Sequence, residues 1–168
     1  RFHPHFTLDV AAGFPVDTSH SGVQTSRRFE SLATHLGTWA DAWEPTFYVV
    51  NQTVEGMTDR QAIGTELRYF RPGRVFVGFV DYDVHFNQLN AAIASGSYRF
   101  ADKSLINVGA DYRKSPYLSA WTALQSQPFL TLYDMLKIKS KDEIDQLALD
   151  RTATYRSATA GYTRPLTD

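Results

Sequence analysis

From Arg27 to Lys114 apolar and polar residues change places at almost every step, and the breaks between alternating runs are only a few residues long. A period of two sends successive side chains to opposite faces of a strand. Links this short join antiparallel neighbours, because a parallel pair needs a crossover of a dozen or more residues. The pattern therefore predicts an all-β antiparallel meander.

The runs can be read one by one. "RRFESLATHLGTW" sets Leu32, Thr34 and Leu36 against Ser31, Ala33, His35 and Gly37. "TFYVVNQTVEG" follows, and then "RQAIGTELRYF", in which Ile63, Thr65, Leu67 and Tyr69 oppose Gly64, Glu66 and Arg68. "RPGR" is a turn with proline and glycine at compatible positions. A strand from Arg74 to Phe86, then "NQLNAAIASGSYRF", the turn "ADKS" and "LINVGADYRKS" continue the series. With "RFHPHFTLDVAAG" before it and "TATYRSATAGYTRPL" after it, about eight strands are expected in one domain over residues 1–168. Eight could close a small barrel. Both ends read as cuts inside a longer protein, so eight is expected to be a subset of the strands.

Residues 117–151 break the rhythm. Apolar positions at Leu132, Leu136, Ile144 and Leu147 have helical spacing, and Ser140 with Glu143 forms a capping box. A packed helical insertion between strands is expected, serving as a lid, a plug or a periplasmic feature.

Two folds satisfy such alternation. A soluble sandwich buries the bulky face and wets the charged one. A membrane barrel turns the bulky face to lipid and the charged face to a water-filled lumen. No apolar run approaches 18 residues, which excludes membrane-spanning helices but not spanning strands of about 9–11 residues. The bulky row is Ile63, Leu67, Tyr69, Val80, Tyr82, Val84, Phe86, Ile106, Val108 and Tyr112. The row expected to line a lumen is Glu66, Arg68, Asp81, Asp83, His85, Asp111, Arg113 and Arg156, with Glu66 and Arg68 beside Asp81 and Asp83. Small residues, among them Gly64, Ala92, Gly96, Gly109 and Gly161, are assigned to that same side. Aromatic residues make up 14% of the chain. Phe47, Tyr48, Tyr69, Phe70, Phe86, Tyr98, Phe100, Tyr112, Tyr117, Tyr155 and Tyr162 recur near strand ends, as an interfacial girdle requires. These two cues favour the membrane reading. The alternative is a soluble β-sandwich that binds envelope glycans through Trp39, Trp43, Trp121 and Tyr117.

The stretches "GFPVDTSHSGVQTSRRF", "DRQAIGTELRYFRPGRVFVGFVDYDVHFNQLNAA", "GADYRKSPYLSAWTALQ" and "LALDRTATYRSATAGYTRPLTD" resemble the C-terminal, porin-like β-barrel region of large bacterial outer-membrane proteins that carry tetratricopeptide-like repeats. The resemblance implies a Gram-negative outer-membrane location and a role in passage or export of envelope material, or in anchoring a periplasmic helical-repeat region. It also implies lipid or lipopolysaccharide around the barrel and a periplasmic protein or polysaccharide partner.

Other chemistries find little to stand on. A formal charge of −1 gives no basic surface for nucleic acid. The absence of cysteine removes thiolate chemistry. His3 and His5, or Asp81, Asp83 and His85, offer metal donors without a complete ligand set or a calcium-loop pattern. No nucleophile elbow or phosphate loop occurs, and "NQT" at Asn51 is a chance glycosylation triplet. No catalytic residue, metal or cofactor is expected, and the protein is not expected to be an enzyme.

Overall fold

In the computed structural model the described residues are 6–14, 26–37, 42–114, 123–124, 126–129 and 131–166. Among these residues eight strands form one antiparallel sheet in chain order. They are β1 (Phe6–Gly13), β2 (Arg27–Leu36), β3 (Trp43–Val54), β4 (Met57–Arg71), β5 (Arg74–Asp83), β6 (Gln88–Arg99), β7 (Leu105–Arg113) and β8 (Tyr155–Thr163). The expected meander is thus the observed fold. The sheet is open, with β1 and β8 as its two edges.

Local chemistry sets the turns. Glu55 and Gly56 both have positive φ, +50° and +73°, which matches the twist that a two-residue hairpin requires between β3 and β4. Pro72 fixes the first corner of the β4–β5 turn and Gly73, at φ +75°, supplies the second. β5 stops three residues before the alternation does. The Asp83 carboxylate, through Oδ1, accepts from the backbone N–H of His85 at 2.9 Å and of Phe86 at 3.0 Å, so the chain turns there.

Between β7 and β8 the chain forms α1 (Leu132–Leu136) and α2 (Lys141–Arg151). Ser140 and Glu143 cap α2 reciprocally, as their spacing predicts. Leu132, Met135, Ile144 and Ala148 are fully buried against Val54, Met57 and Phe86 at the turn ends of β3, β4 and β5, with Leu136 and Leu147 packed at the margin. The hydrophobic core therefore lies at one end of the sheet, where the helices meet it. No described helix is long and apolar enough to cross a membrane.

Register sorts the strand residues into two faces. One carries Val10, Leu32, Val49, Ile63 and Tyr82 in one row, and Leu8, Thr34, Phe47, Thr65, Val80, Ala92 and Tyr112 in the next. Further rows add Leu67, then Trp43, Tyr69, Phe76 and Val108, then Tyr98, Ile106 and Tyr162. Among the described residues neither a helix nor a second sheet covers this face. Val10 is 73% exposed, Phe47 50%, Ile63 50% and Val80 43%.

Candidate functional site: a buried acidic cluster on the polar face

The other face gathers its charge at the end that holds the helices. Asp81 lies in β5 opposite Gly64 and Ala91, and it is 1% exposed. Three donors converge on it. Tyr48 Oη and an Arg60 guanidinium N–H both donate to Oδ2, while Asn90 Nδ2 donates to Oδ1 at 2.6 Å. Burying a carboxylate this deep costs its hydration, and these three donors offset that cost. Next to Arg60 in β4, Asp59 is fully buried and accepts from Gln52 Nε2 at 2.6 Å. Asp83 is also fully buried; Oδ1 closes the turn, and Oδ2 has no hydrogen-bond partner among the described residues.

Two irregularities build this cluster. The β3–β4 register slips at Gln52/Thr53, so that Asp59 stands opposite no residue of β3. The β5–β6 register slips at Asp81/Tyr82, and the extra residue is Asn90. A bulge re-aims a side chain that strict alternation would send elsewhere. Gly64 completes the arrangement. Tyr48 faces it directly across β3–β4, and the tyrosine ring occupies the space a Cβ on Gly64 would need. Tyr48 also stacks on Phe79, with ring centroids 6.2 Å apart.

His85 connects the sheet to the helices. It lies in the turn beyond β5, and its Nε2 sits 2.9 Å from Asp145 Oδ2 on α2. Burial pushes the Asp145 carboxyl above the ordinary aspartate range, a shift that His85 opposes. Nearby Lys141 reaches the Gly56 carbonyl at 3.5 Å.

The residues expected to line a lumen are partly reunited. Glu66, Arg68, Asp81, Asp83, Asp111 and Arg113 share the polar face by register. Their pairing differs from the expectation. Glu66 lies opposite Phe79 and Arg68 opposite Val77, so the two bond to each other along β4, and the cation on Asp81 is Arg60. Asp111 and Arg113 likewise pair along β7, with nitrogen–oxygen distances of 2.8 to 3.1 Å. Arg156 belongs to the opposite face, since it lies across from Tyr112 and sets its guanidinium 5.5 Å from that ring. His85 is a turn residue and not part of a strand row.

Other assignments are corrected by the same register. Ala92 and Gly96 sit on the apolar face, beside Val80 and Phe76. Tyr48, Phe70 and Tyr155 lie on the polar face, opposite Gly64, Val75 and Arg113, and Phe86 is in the helix-packed core. The aromatic row that remains, Trp43, Tyr69 and Phe76 with Tyr98 and Tyr162 next to it, marks the end of the sheet away from the helices. Trp43 packs on Tyr69 with ring centroids 4.6 Å apart. Val77, Phe79 and Ile93 interrupt the polar face midway.

His3, His5, Trp39, Tyr117 and Trp121 fall outside the described residues. Among the described residues no group of three or more histidine or acidic side chains is placed to hold a metal ion. Arg60, Asp59 and Asn90 were the residues that sequence reasoning overlooked. For Arg60 the signal existed, because it stands at even spacing from Gly64 and Glu66. Comparison with family models, with curated proteins and with solved structures gives no match.

Proposed function

We propose that the chain is a wall segment of an outer-membrane β-barrel, with its polar face turned to water and its helical insertion seated across one end. The observation that carries this reading is the uncovered apolar face. A soluble sheet with Val10, Phe47, Val49, Ile63 and Val80 in adjacent rows, all between 43 and 73% exposed, would present a patch of the kind that soluble monomers avoid. Lipid removes that cost. Strands of 8 to 15 residues match the reach that spanning requires.

In lipid no sheet edge can stay open, because each unpaired N–H or C=O costs several kcal/mol. The outer groups of β1 and β8 therefore require partners, either further strands or each other. The internal pairs Arg60–Asp81, Glu66–Arg68 and Asp111–Arg113 carry both signs. Mixed signs fit a hydrated interior for neutral or zwitterionic material, or an anchoring wall, better than a single-sign ion filter.

Conductance in planar bilayers tests the reading, with and without residues 118–150. Channels are expected in both cases, with larger conductance when the insertion is deleted. No channels in either case would remove passage and leave anchoring. A stable, monodisperse chain without detergent would remove the membrane reading altogether.

A further inference from the structure

A groove of about 700 Å³ crosses β1 to β4 on the apolar face. Its floor is the backbone of Ala11, Ser31, Val50 and Ala62, which form one register row. One wall is the apolar row of Val10, Leu32, Val49 and Ile63. The other is the next row on the same face, Ala12, Glu30, Asn51 and Gln61, and Val84 closes an end. Hydrocarbon-like and water-like surfaces thus meet across a single furrow.

Glu30 is the charged residue of the polar wall, and Arg28, in the next row of the same face just outside the groove, reaches it. Glu30 accepts from Arg28 through Oε1 and from Asn51 Nδ2, at 3.3 Å, through Oε2. Arg28 and Glu30 keep 61% and 40% of their side-chain surface exposed, so each retains capacity for a ligand. One cation and one anion stand side by side, with the neutral amide of Gln61 beyond them. A polyanionic headgroup would lack cations to meet it there. A headgroup that itself joins one phosphate to one ammonium would be matched group for group.

We propose that this groove is a subsite for a zwitterionic phospholipid of the phosphoethanolamine class. Arg28 takes the phosphate, Glu30 takes the ammonium with help from the amide oxygens of Asn51 or Gln61, and the acyl chain lies along Val10, Leu32, Val49 and Ile63. The proposal rests on the membrane reading above and adds to it a ligand class and an address.

The test uses the full chain folded in a neutral maltoside detergent. It is titrated with dihexanoyl phosphatidylethanolamine and with dihexanoyl phosphatidylglycerol, and binding is read from backbone amide shifts at Ser31, Val50 and Ala62. The ethanolamine lipid should bind about fivefold more tightly, the scale of one exposed ion pair. Glu30→Gln should abolish that preference or reverse it toward the glycerol lipid, because Arg28 remains to hold a phosphate. Arg28→Gln should weaken both lipids. Heat-modified gel mobility should match that of the parent chain in each variant. Equal binding of the two lipids, or a preference unchanged by Glu30→Gln, overturns the subsite while a heat-resistant, detergent-held fold keeps the membrane reading. A chain that stays monodisperse without detergent overturns both.

Discussion

Replacing Gly64 with alanine should loosen the buried cluster from outside it. The added methyl would enter the Tyr48 ring, which lies directly over the glycine. The ring cannot step aside freely, since it stacks on Phe79 and its hydroxyl is bonded to the buried Asp81. Overpacking of a tight site costs about 1–3 kcal/mol. If the ring gives way, Asp81 also loses one of three donors, and a hydrogen bond to a charged group is worth about 1.5–3 kcal/mol. Together these give a loss of about 2.5–6 kcal/mol for Gly64→Ala. Urea unfolding of the detergent-held chain, followed by tryptophan fluorescence, measures it. Tyr48→Ala should cost stability alone, yet Gly64→Ala in that background should cost much less than in the parent, with a coupling energy of about 1–3 kcal/mol. A Gly64→Ala variant within about 0.5 kcal/mol of the parent, the usual range for surface changes, would refute the argument. So would simple additivity of the two substitutions.

Position 80 should tolerate leucine but not a cation: Val80→Arg is expected to cost about 2–4 kcal/mol of bilayer insertion if that position faces the midplane, measured by refolding yield into vesicles. Ser140→Ala removes the side-chain half of the α2 capping box, leaving Glu143 to accept from the residue-140 N–H, and should lower the helical insertion's stability by about 1 kcal/mol, read by hydrogen exchange at residues 141–145. Asp145 carries a pH dependence whose sign is fixed. Its folded carboxyl is raised above the ordinary 3.8, chiefly by burial and secondarily by Asp142, against His85 and Lys141. As pH rises from 3.8 through the raised value, the unfolded state gives up its proton first, so stability falls over that window and then levels. Asp145→Asn should flatten the fall in a urea titration of helix content.

How far these residues can be read without coordinates depends on what competes with alternation. All eight strands show in the sequence because each keeps one face apolar over most of its length. The helices show because Ser140, Glu143, Ile144 and Leu147 agree on one period. The site was harder. Asp59 and Asn90 enter the cluster only through register slips, and a slip leaves no residue-level mark in a row of alternating letters. Asp83 ends β5 with its own carboxylate, although the letters through Phe86 still alternate. Charge also misled parity at Arg156, whose spacing from Ala158, Ala160 and Tyr162 already placed it on the apolar side. Aromatic identity carried no face information at Tyr48, Phe70 or Tyr155, because rings suit either surface.

The meander and the helical insertion differ in when they can form. From β2 to β7 each hairpin closes a loop of a few residues, a microsecond event that needs nothing from the rest of the chain. The insertion meets the sheet across far longer separations: 60 positions divide His85 from Asp145, and 85 divide Gly56 from Lys141. Closure entropy grows with that length, and the Val54, Met57 and Phe86 surface must exist before Leu132, Met135 and Ile144 can be buried on it. The helices are therefore expected to dock only after β3, β4 and β5 have paired, and to be the first to leave on the return path. A segment with that history can come and go while the hydrogen-bonded strands beneath it stay in place.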